Sequence, residues 1–404
     1  MILKNESNCL GHLTYCSNIH PAEDWIGVFN KLKNHLPQIK KEVSPYQSFG
    51  LGLRISNLAA NDLKNEKYLI EFQDFLKDGD YYVFTLNGFP YGNFHGKPVK
   101  EGAYKPDWSK DDRLIYTNLL ADHLVKLLPA KIQEGSISTV PGSYKPWTYG
   151  TKGKSVINKI TENLIKHVSH LIYIYNKTGK KISLALEPEP SCFLETINET
   201  VHYFKEELFS NNSIDLLSKL TKLNKVQSEE ALRFHLGVCY DVCHAAVEFE
   251  NPNESINILK NQGIRIPKLQ LSSAVKIKKI DKNTHELLKP LNEPVYMHQV
   301  VQKDNDDVLS RFSDLSDAFQ QMDKSYGSEW RIHFHVPIFR EKMKLFDTTQ
   351  GFLKDILKLH QNSPISDHLE VETYTWDVLP ENFRNTSVSS AISRELNWIK
   401  SQLL

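Results

Sequence analysis

Residues 184–190 read LALEPEP, a short apolar run that ends on two glutamates, Glu187 and Glu189, each followed by proline. Side chains alternate along a strand, so Ala185 and Glu187 share one face while Leu184 and Leu186 occupy the other. Similar β-rich runs recur along the chain: LTYCSNIH (13–20), FGLGLRIS (49–56), YYVFTLNG (81–88), SISTVPG (136–142), ISLALEP (182–188), FHLGVCYD (234–241), KLQLSS (268–273), RIHFHVP (331–337) and LEVETYTW (369–376). Between most of them lie segments with apolar residues at helical spacing, such as TENLIKHVSHLIYIYNKTGKK (161–181). Alternating β and α predicts a parallel sheet flanked by helices. Eight such units close into a barrel, with the ligand site at the C-terminal ends of the strands. An open doubly wound sheet is the rival, but it normally carries a glycine-rich phosphate turn, and neither GxGxxG nor GxxxxGK[ST] occurs here. Nine runs are one too many for eight strands, and SISTVPG is the one read as a loop strand.

No linker, low-complexity tract or repeat divides the 404 residues, so one barrel domain over 1–404 is expected, with insertions near 89–113 and 275–330 as loops over the C-terminal face. The chain is 40% apolar and 24% charged, a globular composition. Lys+Arg and Asp+Glu both total 49, so no basic surplus points to nucleic acid as a partner. The first residues lack a basic stretch followed by an apolar core, and nowhere do 18 apolar residues follow one another. Neither secretion nor membrane insertion is expected, and the cytoplasm is the expected location. Five cysteines without a CxxC pair suit small buried residues in a reducing compartment.

Four strand ends carry polar sets. Glu187 closes the first. Asp241 ends FHLGVCYD, with His244 three residues on, oxygen and nitrogen donors that suit a divalent cation. RIHFHVP alternates so that Arg331, His333 and His335 face one way, and LEVETYTW places Glu370 and Glu372 together. Each has a plainer reading: a surface carboxylate capping the next helix, an aspartate cap beside a buried histidine, a packed histidine pair. Four together favour a metal or acid/base centre.

In that order LALEPEP, YDVCH, HFHVP and LEVETYTW resemble the strand-end ligands of the xylose isomerase-like barrel superfamily, which includes sugar isomerases, ketose epimerases and apurinic endonucleases. The longer stretches LTYCSNIHPAEDW, TLNGFPYGNFHG, VKEGAYKPDW, GSISTVPGSYKPW, LALEPEPSC and CYDVCH resemble the EboE family of metabolite traffic proteins, across nearly the whole chain. The superfamily resemblance implies Glu187, Asp241 and Glu372 as metal ligands, and His244 as a ligand or substrate contact. It departs at KLQLSS, where relatives carry a ligand histidine and this chain has Gln270, a neutral and weaker donor. His333 and His335 match a metal-binding pair of the endonucleases, and His335 joins the expected ligand set.

Such a set implies a divalent ion (Mn, Mg, Co or Zn) and proton transfer next to a carbonyl, with Glu187 and Glu372 as the acid/base pair assisted by His244. The expected partner is a small sugar-like metabolite, with a homo-oligomer left open. Asn18, His20, Asn87, His95, His298, Arg331, His333 and Trp376 offer donors or stacking surfaces for it, and each reads equally well as a packed or solvated residue. Two alternatives remain beside the isomerase or epimerase: a metal-dependent phosphoesterase using a multi-metal cage, and a carrier that binds a metabolite without turning it over.

Overall fold

A computed structural model describes residues 1–404 apart from Ser7, Lys97, Leu345 and 380–385. Eight strands run parallel: β1 (Cys9–Tyr15), β2 (Phe49–Arg54), β3 (Tyr81–Asn87), β4 (Glu134–Thr139), β5 (Lys181–Leu186), β6 (Leu236–Asp241), β7 (Arg265–Leu271) and β8 (His368–Val371). From β2 onward each pairs with the next, and β8 returns to lie beside β1, His368 opposite His12 and Val371 opposite Tyr15. The remaining seam closes through a parallel bridge between Cys16 and Gly52. There the Thr14 hydroxyl donates to the Gly50 carbonyl at 2.7 Å and accepts the Gly52 amide at 2.9 Å. The chain is therefore a closed (β/α)8 barrel. A short antiparallel strand, Ile2–Lys4, lies outside it against β1.

Helices pack around the barrel by the periodicity seen in the sequence. In the helix Gly153–Thr178, Ile160, Leu164, Val168 and Leu171 are all buried, a stripe on one face. Gly179 ends it in the left-handed region at φ 70°, which glycine adopts without penalty. Among the described residues, no helix is long and apolar enough to cross a membrane.

Two readings of the sequence are corrected here. SISTVPG is not a loop strand: it forms β4, paired on one side with β3 and on the other with β5. The surplus run is RIHFHVP. Its strand spans only Glu329–Ile332 and belongs to a five-stranded antiparallel sheet built between β7 and β8, in the order Leu309–Phe312, Val300–Lys303, Glu329–Ile332, Val275–Ile277 and Asp347–Thr348. The strand pattern was real, but the partners of these residues are hairpin neighbours within the excursion and not barrel strands. All five cysteines are free, and Cys9 is exposed against the expectation of burial.

The barrel interior is unusually polar. Lys268 and Glu370 meet in it at 2.6 Å with no exposure of either side chain. Close approach here depends on Gly52: a Cβ at that position would lie 2.0 Å from Glu370 Oε2.

Candidate active site

Glu187, Asp241 and Glu372 stand at the C-terminal ends of β5, β6 and β8, one residue beyond the strand for the two glutamates. All three are buried, and one oxygen of each lies within 4.8 Å of one of the others'. Rigid neighbouring strands impose this convergence; loops of ordinary mobility would not hold it. Asp241 Oδ1 accepts the Ser272 hydroxyl at 2.6 Å and the His244 amide at 3.1 Å, while Oδ2 has no hydrogen-bond partner among the described residues. Glu187 Oε2 is likewise buried without a partner. Glu372 Oε1 accepts from the side-chain amides of Asn18 at 2.7 Å and Asn87 at 3.0 Å.

Burial, and then the charges of Glu372 and Asp241, push Glu187 well above the usual carboxylate range. Burial, Asp241 and Glu370 do the same to Glu372. Burial also works to raise Asp241, but the imidazoles of His244 and His335, the Ser272 hydroxyl and the His244 amide outweigh it, leaving Asp241 below that range. Three carboxyl groups this close cannot all be ionised without a counter-charge. The two unpartnered oxygens and the oxygen-only donor set fit a divalent cation.

A second group of donors adjoins the first. Asp241, His244 and His335 approach within the same 4.8 Å limit, as do Glu189, His244 and His333, and Cys243, His333 and His335. His333 Nε2 lies 3.1 Å from His244 Nε2 and 3.2 Å from His335 Nε2. Past Ile332 the chain leaves its strand and crosses the barrel mouth, which is how His335 of the excursion reaches Asp241 at the end of β6 and Glu372 just past β8.

The cavity above these groups amounts to about 50 Å³, room for a few waters. Asn18, Asn87, Glu187, Glu189, His244, His333 and Glu372 line its polar side. Phe94, Tyr296 and Tyr374 roof it, with ring centroids 5.1 to 5.3 Å apart. His95 ties this roof down, one ring nitrogen 2.6 Å from the Asn18 carbonyl and the other 2.8 Å from the Tyr296 hydroxyl.

Of the residues proposed from the sequence to contact substrate, Asn18, Asn87 and His333 line the cavity, the first two already engaged with Glu372. His95 stands behind the roof. His20 stacks on His35 at 4.3 Å and bonds the Tyr15 hydroxyl. His298 is held between Glu293 and the His333 carbonyl. Arg331 bonds Glu329 and the Ala246 carbonyl, lying over the Phe249 ring. Its separation from His333 and His335 follows from the strand ending at Ile332, so the shared face expected of the three does not form. Trp376 is packed in the core. Gln270 is fully buried in the barrel, and its side-chain oxygen accepts the Cys239 thiol at 3.0 Å.

Sequence reasoning passed over several residues that the fold brings here. Glu189 shares a face with Glu187 in LALEPEP, a signal that was present. It accepts from the Tyr104 hydroxyl at 2.8 Å and the Gln299 amide at 3.2 Å. Cys243 and Tyr374 lie inside the motifs YDVCH and LEVETYTW but were not singled out there, and Gln299, in VYMHQVV, carried no signal.

No protein-family model matches the chain, and no curated protein matches it. Solved structures similar to it include a D-tagatose 3-epimerase-like protein (12% identity, TM-score 0.49, covering 97% of each chain). An L-ribulose 3-epimerase gives 11% identity and TM-score 0.49, over 97% of this chain and 94% of that one. An IOLI protein crystallised with a zinc atom gives 13% and 0.45, over 97% and 98%. At these values the barrel rests on the chain's own strand order, and the site on its own side chains.

Proposed function

We propose that the protein is a divalent-cation-dependent isomerase or epimerase of a small polyhydroxylated carbonyl compound, of the EboE-like kind suggested by its motifs. The observation that carries this reading is the convergence of Glu187, Asp241 and Glu372 at the barrel mouth, with unpartnered oxygens on two of them. These three residues would hold the cation, which when bound polarises adjacent substrate oxygens and so acidifies the neighbouring C–H. Glu187 and Glu372 approach the cavity from β5 and β8, three strands apart around the barrel, so one removes a proton from carbon and the other returns it. Asn18 and Asn87 hold Glu372 in place through its Oε1, and Phe94, Tyr296 and Tyr374 cover the cavity.

The test is solvent exchange. With Mn²⁺ and panels of ketoses and cyclitol ketones in D₂O, the wild-type chain introduces deuterium at one carbon. Glu187→Gln and Glu372→Gln each lose 10²-fold or more in exchange rate. Retained exchange in both variants removes the glutamates from the chemistry.

A carrier role is the second reading, favoured by Gln270: its oxygen is engaged by Cys239 and leaves the cation with carboxylates alone from the barrel strands. Tight binding of a panel compound with no exchange would support it over the enzyme.

A further inference from the structure

The cavity is polar toward the strand ends and apolar everywhere else. Beyond the carboxylates, histidines and asparagines, its described lining is Phe89, Pro90, Phe94, Ala103 and Met297, with three tyrosines and Lys100. The tyrosine hydroxyls are already engaged. That of Tyr104 donates to Glu189 at 2.8 Å and accepts the Gln299 amide at 2.8 Å. That of Tyr296 lies 2.8 Å from His95 Nδ1, behind the roof, and that of Tyr374 turns toward His333 Nε2 at 3.5 Å. Lys100 is the one lysine or arginine of the described lining, and Asp314 holds its ammonium at 2.5 Å. Ala103 and Met297 are half-buried, on two loops that meet over the mouth, where the Val99 and Lys100 amides both donate to the Val295 carbonyl at 2.7 and 3.1 Å. The apolar wall thus runs from the buried Phe89 and Pro90 out to the surface.

We propose that the substrate is amphiphilic: its hydroxylated carbonyl end meets the carboxylates, and its far end carries an uncharged alkyl or aryl group that runs outward past Phe94 and Met297. A substrate hydroxyl placed against this wall leaves water and gains no partner, because every described polar side chain there is engaged. An apolar group placed there gains the surface it buries. A phosphate fares worst. It would find one ammonium, already paired with Asp314, and would stand above a floor of carboxylates. The inference rests on the proton-transfer reading for which end of the substrate reacts, and adds to it the chemical class of the other end.

Full-length protein loaded with Mn²⁺ is titrated by calorimetry with a panel of 2-ketohexoses, each as the free sugar, the 6-phosphate and the 6-O-methyl, butyl and hexyl ethers. For at least one sugar the affinity rises along the ether series by about fourfold for each methylene buried, and the 6-phosphate binds less tightly than the free sugar. The matching alditol ethers, which lack the carbonyl and cannot exchange a proton, show the same slope. Met297→Asp, with its fold checked by circular dichroism, flattens it. An ether series that gains nothing with any sugar, whether or not the free sugars bind, overturns the inference. So does a 6-phosphate that binds more tightly than the hexyl ether, or a full slope retained in Met297→Asp. Deuterium exchange into free sugars beside a flat ether series removes this inference and leaves the isomerase reading standing; a steep ether series without any exchange does the reverse.

Discussion

Glu370 and Lys268 offer the sharpest test of how the barrel is held beneath its site. They approach to 2.6 Å with neither exposed, and neither Glu370 oxygen has an aligned hydrogen bond, so the contact is chiefly charge on charge. Burial alone would lower the Lys268 pKa, but Glu370 outweighs it and the ammonium is held above its ordinary value. In Glu370→Gln the ammonium keeps only weak contacts, with the Ser138 hydroxyl at 3.2 Å and the Leu86 carbonyl at 3.5 Å. Breaking one side of a buried pair costs about 3–5 kcal/mol, while replacing both partners by apolar groups of similar volume is about neutral or stabilising. Glu370→Gln is therefore expected to lose about 3–5 kcal/mol in urea unfolding at pH 7, and Lys268→Met/Glu370→Leu to return to within about 1 kcal/mol of wild type or exceed it. The single variant also binds Mn²⁺ more weakly, because an uncompensated ammonium then acts on Glu187 and Glu372, whose charges it already influences. Additive losses, with the double variant as unstable as the sum of Glu370→Gln and Lys268→Met, would refute the reasoning.

Cation uptake at the carboxylates is expected to strengthen as pH rises, because Glu187 and Glu372 hold their protons well above the usual range and must release them to bind. Calorimetry in buffers of differing ionisation enthalpy checks this by the protons released per Mn²⁺. Glu395, buried under the Ile338 amide and Thr373 hydroxyl, is raised by burial to about 7. The folded state thus holds this proton more tightly than the unfolded chain. Its contribution falls as pH climbs from the unfolded value to about 7 and is constant above. Glu395→Gln removes that loss, so its stability relative to wild type is expected to be about 3 kcal/mol better at pH 8 than at pH 4.5, read from unfolding at both. His95→Ala cuts the link between Tyr296 of the roof and the Asn18 carbonyl, and chelator extraction of Mn²⁺ should quicken several-fold; an unchanged rate would mean that the roof does not gate the cavity.

The sequence alone determined the strands that end on the candidate ligands. Alternation has a period of two residues and is fixed by the backbone, so LALEPEP, FHLGVCYD and LEVE announced Glu187, Asp241 and Glu372 without any knowledge of neighbours. Which strands adjoin could not be read that way. RIHFHVP and SISTVPG look equally strand-like, and only their hydrogen-bonded partners put the first in the excursion and the second in the barrel. For the same reason Arg331 parted from His333, and Lys268, unremarkable in KLQLSS, became half of a buried ion pair. The histidine cluster is further still from local inference, since its geometry depends on Gln299, Pro190 and Glu189 arriving from separate parts of the chain. A side chain's direction is set by its own backbone, but what it meets there is set by residues hundreds of positions away, and that meeting exists only once the barrel has closed.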